Sequence, residues 1–359
     1  MKHAAFVIRH PYVDAIPCLR EPVEFLAKNG WRVDLYTMID GAYSFPKFSS
    51  ENVRLIPFNL TKWKTVHFLW RLATHCPQYR CIFAVPQWDL YYAGKVAGLL
   101  KIPLICLHDE IFTSKNATEF WRRREKDAHQ KACATIELSE ERADYVRREN
   151  ELGPDHKIFV IPNAPAGTSE RLKNFYYHEA FDIPRDKILL LHLGSTWSPK
   201  IRHLANLAKG WDGPYVLVFQ CRAAHCILKD LQAKHVHCNR SVLPNSGLNR
   251  AVSSASIGIG LYDTDNIKGG DLMMGYASSK LGVYFRNGLP VIFTDQECFR
   301  FIERHGLGIC VSDIRQIPAA ADKIMARYDF YAKNVKAYFN EKLNFDLYTK
   351  PLVELLKSF

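Results

Sequence analysis

Short apolar runs alternate along this chain with stretches whose apolar residues recur at helical spacing. Ala4 to Ile8 is the first apolar run, and Pro22 opens a helical segment that Asn29-Gly30 would stop. Trp31 to Thr37, Val53 to Pro57 and Cys81 to Val85 then read as strands, Tyr91 to Leu100 as a helix, and Ile102 to Leu107 as a strand. Strands separated by helices of this length predict βαβ units and a parallel sheet. The second half repeats the design. Ile188 to Leu193 is continuously apolar, as a strand buried on both faces must be. Tyr215 to Phe219, a helix near Ile227 to Lys234, and strands at Ser256 to Leu261, Val291 to Phe293 and Gly308 to Val311 follow. The polar stretch Ala164 to Asp186, with Pro165, Gly167 and Pro184, reads as the connection between two α/β domains. Ligands of such domains bind at the carboxyl ends of the strands.

Length agrees with two domains, since 359 residues exceed what one core usually serves. No apolar run reaches the roughly 18 residues of a membrane span, and Met1 to Ile8 is too short for a signal peptide and reads as a first strand. The ten cysteines include no C-x-x-C pair, which predicts reduced core thiols and a cytoplasmic protein. Cys221, His225, Cys226, His235, His237 and Cys238 cluster in sequence, but their spacing fits no zinc pattern, so no metal is expected there. The net charge of +11 suits phosphates, anionic lipid or nucleic acid. No nucleic-acid motif accompanies it, so nucleic acid is not an expected partner.

The segment richest in chemistry is Ser278-Ser279-Lys280-Leu281, followed by Tyr284 and by Gly288-Leu289-Pro290-Val291-Ile292. It predicts a helix that begins at the serine pair, runs to Gly288 and turns into a buried strand. A helix N-terminus beside a lysine suits a diphosphate. Equally, Ser279 could merely cap the helix while Lys280 is solvated.

This Ser-x-Lys-Leu-x-x-Tyr pattern resembles the donor-site helix of GT-B glycosyltransferases similar to family four, in the bacterial branch with a Lys-Leu-x-x-Tyr form. Three further stretches match in family order. Ala132 to Val146 followed by Ile161-Pro162-Asn163-Ala164-Pro165 resembles the end of the acceptor domain and its Pro-Asn hinge. Leu107-His108-Asp109-Glu110 resembles a His-Asp loop facing the acceptor. Leu193-Gly194-Ser195 resembles the turn that opens the donor domain. The resemblance implies an α/β fold of GT-B architecture, with two Rossmann-like domains whose parallel sheets face across a cleft. Residues 1–165 would bind the acceptor, residues 166–335 the nucleotide sugar, and a C-terminal helix in 336–359 would return to the first domain.

The resemblance also distributes roles. Ser195, Lys200, Arg222, Ser278, Ser279 and Lys280 would hold the donor, with Arg202 a weaker candidate, and Val242 and Leu243 would cradle the base. His108 and Asp109 would serve catalysis, His108 by bonding the reacting sugar and Asp109 or Glu110 by positioning the acceptor hydroxyl. The family's two donor-helix glutamates fall at Gly275 and Val283 here, so Asp271 is the nearest acidic substitute. The activity implied is transfer of a sugar from a nucleotide-sugar donor to a glycan, lipid-linked or protein acceptor, retaining and without metal or other cofactor. Asp263-x-Asp265 is the one pair that could hold a cation. A catalytically inactive binding module, or an epimerase or hydrolase of sugar nucleotides, would use the same scaffold. Phe120 to Arg124 forms a basic, aromatic helix start, a candidate contact for an acceptor phosphate or an anionic membrane surface on the cytoplasmic face.

Overall fold

The structure is a computed structural model that describes residues 2–38, 46–58, 62–113, 117–194, 202–221, 233, 235–262, 269–357 and 359. The chain divides into two compact units. One comprises Met1–Asn163 with Phe345–Phe359, the other Ala164–Asn344.

The first unit holds a parallel seven-stranded sheet in the order β3-β2-β1-β4-β5-β6-β7. Its strands are β1 (Lys2–Ile8), β2 (Trp31–Thr37), β3 (Val53–Pro57), β4 (Cys81–Ala84), β5 (Leu104–Leu107), β6 (Ala134–Glu137) and β7 (Lys157–Val160). The intervening helices are α1 (Pro17–Lys28), α2 (Lys62–His75), α3 (Trp88–Leu100), α4 (Glu119–Lys131) and α5 (Glu140–Glu149). Phe6 stands opposite Leu35 on one side and Phe83 on the other. The strand order reverses between β1 and β4, the place where such sheets leave a crevice beyond their carboxyl ends.

The second unit holds a parallel six-stranded sheet in the order β10-β9-β8-β11-β12-β13. The strands are β8 (Leu189–Leu193), β9 (Val216–Gln220), β10 (Val236–Asn239), β11 (Ile257–Gly260), β12 (Val291–Thr294) and β13 (Gly308–Val311). Around them lie α6 (Tyr176–Ala180), α7 (Arg202–Lys209), α8 (Asn245–Ser253), α9 (Ser279–Arg286), α10 (Phe301–Arg304), α11 (Ile317–Met325) and α12 (Tyr328–Tyr338). The reversal here falls between β8 and β11. The last helix, α13 (Thr349–Lys357), belongs to the first unit.

Three expectations from the sequence need correction. Pro22 does not open a helix; α1 begins at Pro17 and carries Pro22 inside it. Pro17 sits in the first turn, where no N–H is needed, and so starts the helix better than Pro22. The stretch 164–186 is more than a connection. Ala164, Tyr177 and Ile183 are buried in the second unit's core, and Tyr177 donates to Gln220 Oε1 at 3.0 Å. The chain leaves the second unit after Asn344, not near 336, because Tyr338, Phe339 and Leu343 remain buried in that same core. Residues 227–232 and 234 of the helix expected near Ile227 to Lys234 lie outside the described residues.

Candidate active site

In the second unit the sequence of β11, Ile257-Gly258-Ile259-Gly260, alternates isoleucine with glycine because two rings occupy the space a side chain would need. A Cβ on Gly258 would lie 2.5 Å from Tyr284 Cδ2, and one on Gly260 would lie 2.2 Å from Phe293 Cζ. Tyr284 reaches across β11 from α9, and its hydroxyl sits where β8 and β11 part. The Leu193 N–H donates to Tyr284 Oη at 2.9 Å. Tyr284 Oη lies 2.8 Å from Leu191 O and 3.0 Å from Ile259 O, so its one proton can be donated to either. The last β8–β11 pair is His192 with Ile259. Tyr284 therefore ends the ladder and supplies the bonds that the diverging strands no longer give each other.

Lys280 lies one helical turn before Tyr284. Its Cε would be 3.3 Å from a Cβ on Gly194, which turns the chain out of β8 at φ +106°. Only glycine combines that backbone with so close a neighbour. The Lys280 ammonium stands 5.0 Å from the centroid of Tyr262, whose hydroxyl is 3.4 Å from Ser278 Oγ. Burial pushes the Tyr262 hydroxyl up to about 12, with the Asp271 carboxylate adding to the rise. Tyr262 is held in turn by Thr294, whose Oγ1 accepts the Tyr262 N–H at 2.7 Å. Lys280, Tyr262, Ser278 and Asp271 thus gather at the carboxyl edge of the sheet, at its strand reversal. Ser278, rather than Ser279, is the N-cap of α9, and its hydroxyl makes no cap bond to the first turn. The helix dipole and a lysine therefore converge on one spot, which suits a diphosphate.

The loop expected to cradle a base follows β10. Gln220 Nε2 donates to Ser241 O at 2.8 Å and fixes its start, and the loop runs through half-buried Val242 and Leu243 to Pro244, the N-cap of α8. Leu243 also packs on the core. Ser195, Lys200, Arg222, Asp263, Asp265, His225 and Cys226 lie outside the described residues, as does the side chain of Arg202.

In the first unit, His108 follows β5 and is only 1% exposed. Its Nδ1 is 2.8 Å from Glu137 Oε1, at the end of β6. Glu137 accepts Arg142 Nε at 2.9 Å and the Leu138 N–H at 2.6 Å. Burial opposes a charge on His108, but Cys106 and Glu137 together outweigh it and hold the imidazole well above its ordinary value. Glu137 is likewise buried, yet His108 and Arg142 keep it below the usual carboxylate range. His108, Glu137 and Arg142 form a buried ion triad. Asp109, beside it, is half-exposed, and burial raises its carboxyl above the ordinary value. Glu110 is exposed.

Cys106, His108 and His129 are the one group among the described residues near enough to share a metal. Both ring nitrogens of His129 are already engaged. Nδ1 is 2.8 Å from Asn150 Nδ2, which can only donate, so Nε2 carries the proton toward Thr135 Oγ1 at 2.6 Å. No lone pair is left for a metal, so this cluster does not fit one. None of the nine described cysteines forms a disulfide.

At the reversal between β1 and β4, the Arg9 N–H donates to Asp89 Oδ2 at 2.6 Å. Asp89 is 2% exposed and lies in the first turn of α3; desolvation lifts it to about 7. Glu125 on α4 is 5% exposed and is lifted to about 7 by the same cause, although it accepts the backbone N–H of Gln87. Gln87 holds φ 63° and ψ −118°, a conformation costly for a side chain.

Residues 229–355 match the family described as glucosyltransferase 3-like, C-terminal domain. No curated protein matches the chain. Sucrose-phosphate synthase from Thermosynechococcus elongatus superposes with a TM-score of 0.72 at 15% identity, over 100% of this chain and 99% of that one. Anabaena HepE, solved with UDP and glucose, superposes with a TM-score of 0.73 at 12% identity over 100% of both chains. WaaG, a glycosyltransferase of lipopolysaccharide biosynthesis, gives 0.63 at 15% identity over 97% of this chain and 98% of that one. The chain carries the GT-B glycosyltransferase fold. In GT-B terms the second unit is the half in which Lys280 and Tyr284 stand, and the first is the half with the His108 triad.

The pattern of the sequence marks Lys280, Tyr284 and His108 but not Tyr262, Glu137 or Arg142. Glu137 leaves a trace, a carboxylate closing the apolar strand Ala134-Thr135-Ile136. Tyr262 leaves none, since only the fold brings the end of β11 beside the start of α9.

Proposed function

We propose that this protein transfers a sugar from a uridine-diphosphate sugar to a glycan, lipid-linked or protein acceptor, with retention of anomeric configuration and without a metal ion. The observation that carries this reading is the placement of Lys280 against Gly194, at the strand reversal of the second unit and the start of α9. A diphosphate bound there faces an ammonium and a helix N-terminus. As the bond from the anomeric carbon to the diphosphate oxygen breaks, negative charge grows on the leaving group, and fixed positive charge stabilises it more than the ground state. The acceptor oxygen forms the new bond to the anomeric carbon, and its proton passes to the departing phosphate oxygen.

The solved complexes of HepE with UDP and with UDP-glucose support uridine as the base. Asp271, whose charge is felt at Tyr262, would meet the donor ribose in the role of the missing glutamate. Asp109 would receive the acceptor hydroxyl beside the triad that fixes His108. Retention and metal independence rest on the family resemblance and on lysine chemistry at the diphosphate.

A transfer assay with UDP-glucose and an oligosaccharide acceptor, run with and without EDTA, tests the reaction. Proton NMR of the product should show the donor's anomeric configuration, and the rate should survive chelation. Loss of activity in EDTA with rescue by manganese would contradict the metal-free reading and direct attention to Asp263 and Asp265. Release of UDP without a glycosylated product would favour the hydrolase or epimerase.

A further inference from the structure

The first unit presents a cluster of aromatic rings apart from the ion triad, of which Tyr92 also packs against the core. Trp88 is the first residue of α3, directly beyond the carboxyl end of β4. Phe120 and Trp121 lie in the first turn of α4. The two helix starts converge, with Trp88 and Trp121 3.7 Å apart at an interplanar angle of 34°. Tyr92 lies 5.9 Å from Trp88 and Tyr91 6.2 Å from Trp121. All these rings are at least partly exposed, and Phe120 is 54% exposed. Large apolar rings gathered at a surface mark a contact for something else.

Cations are set among the rings. The Arg124 guanidinium stands 3.6 Å from the centroid of Phe120, 5.0 Å from Tyr91 and 5.4 Å from Trp121. Lys95 lies 5.3 Å from Tyr91, and Arg9 lies 5.4 Å from Trp88. The neighbouring cations are neutralised locally. Arg122 pairs with Glu119 and Glu149, Arg123 with Glu119 and Lys126 with Glu151, while Arg9 stands 3.9 Å from Asp89, whose ionisation burial opposes. Among the described residues neither Arg124 nor Lys95 meets a carboxylate. The positive charge left uncompensated is the charge the rings hold.

We propose that Trp88, Tyr91, Phe120 and Trp121, with Arg124, form a subsite for a pyranose ring bearing an anionic substituent, a carboxylate or a phosphate. The inference rests on the glycosyltransferase reading and specifies its acceptor. A pyranose has an apolar C–H face and a hydroxylated rim. An indole takes the face while the rim stays in water, as amphipathic rings do at wet interfaces. Arg124 then meets the anionic group with a planar fork of donors suited to either carboxylate or phosphate. The location agrees, since Trp88 and Arg9 flank the strand reversal of this sheet, where α/β units bind ligands. A bilayer surface would use several free cations, and at 122–124 two of the three arginines are spent on neighbouring glutamates.

Tryptophan fluorescence titration tests the subsite. The probes are a glucuronate-bearing tetrasaccharide, a neutral glucose tetrasaccharide of equal length, glucose 1-phosphate, and vesicles of phosphatidylserine and phosphatidylcholine. The wild type should bind the glucuronate probe or the sugar phosphate at least tenfold more tightly than the neutral one, and the stronger of the two names the substituent. Trp121→Ala and the exposed-site variant Phe120→Ala should weaken that binding about tenfold. Arg124→Gln should abolish the preference for the anionic probe. Calorimetry with UDP on the same variants separates the two readings: UDP binding should persist in all of them, and its absence from the wild type would sink the donor assignment instead. Saccharide binding that the variants leave unchanged, or none with any probe, would overturn the subsite. So would quenching by vesicles that no saccharide competes away, which would make the patch a lipid contact.

Discussion

Tyr284 shows what a single hydroxyl can hold together. Phenylalanine would fill the space over Gly258 equally well, but the Leu193 N–H and the carbonyls of Leu191 and Ile259 would lose their common partner. Leaving a buried donor unmet costs about 1–3 kcal/mol. Tyr284→Phe should therefore lower the unfolding free energy by about that amount in denaturant titration. It should also weaken UDP binding, because Leu193 leads straight into the Gly194 turn against which Lys280 rests. A variant of unchanged stability would show that the strands close without the hydroxyl. The spacing of Lys280 and Tyr284 was legible because a helix brings residues four apart onto one face. The destination of Tyr284 was not, although the glycines of β11 hint that something approaches closely.

At the scale of the element, the apolar strands with strong β-branched content were readable to within a residue or two. Trp31–Thr37, Val53–Pro57 and Gly308–Val311 have the bounds that the sequence suggests. Val236–Asn239 was not, because its histidine and cysteine look like a loop until β9 pairs with it. Asp89 in the first turn of α3 and Glu125 in the middle of α4 were also opaque: both look like ordinary helix acids, yet the fold buries both. Asp89 faces Arg9 and Asp109, and Glu125 faces His108, Arg122 and Asp109. Both carboxyls titrate near 7 when folded, against about 4 when unfolded. The fold therefore prefers their protonated forms. The stability they contribute is complete below about pH 4 and is lost as the pH rises through about 7. Asp89→Asn and Glu125→Gln remove this dependence. Their melting temperatures relative to wild type should be higher at pH 8 than at pH 5, as scanning calorimetry would show. A difference that is the same at both values would mean that these groups ionise freely in the fold.

For the whole molecule, two parallel sheets were legible because strands and helices alternate twice, with polar chain between. The point of return was not, since the helical pattern runs on through 336–344 and only burial of Phe339 and Leu343 keeps that stretch with the second unit. Among the described residues no helix is long and apolar enough to cross a membrane. The charge of +11 is a property of the entire chain, but the proposed sites call on it locally, at Lys280 in one unit and at Arg124 in the other. The central claim is that the second unit holds a donor diphosphate at Lys280. Calorimetric titration of UDP into the wild type and into Lys280→Ala tests it most directly. Loss of one charge-assisted hydrogen bond should weaken binding by about 1.5–3 kcal/mol, roughly ten- to a hundredfold. Equal affinity in the two proteins, or no binding of UDP to the wild type, would contradict it.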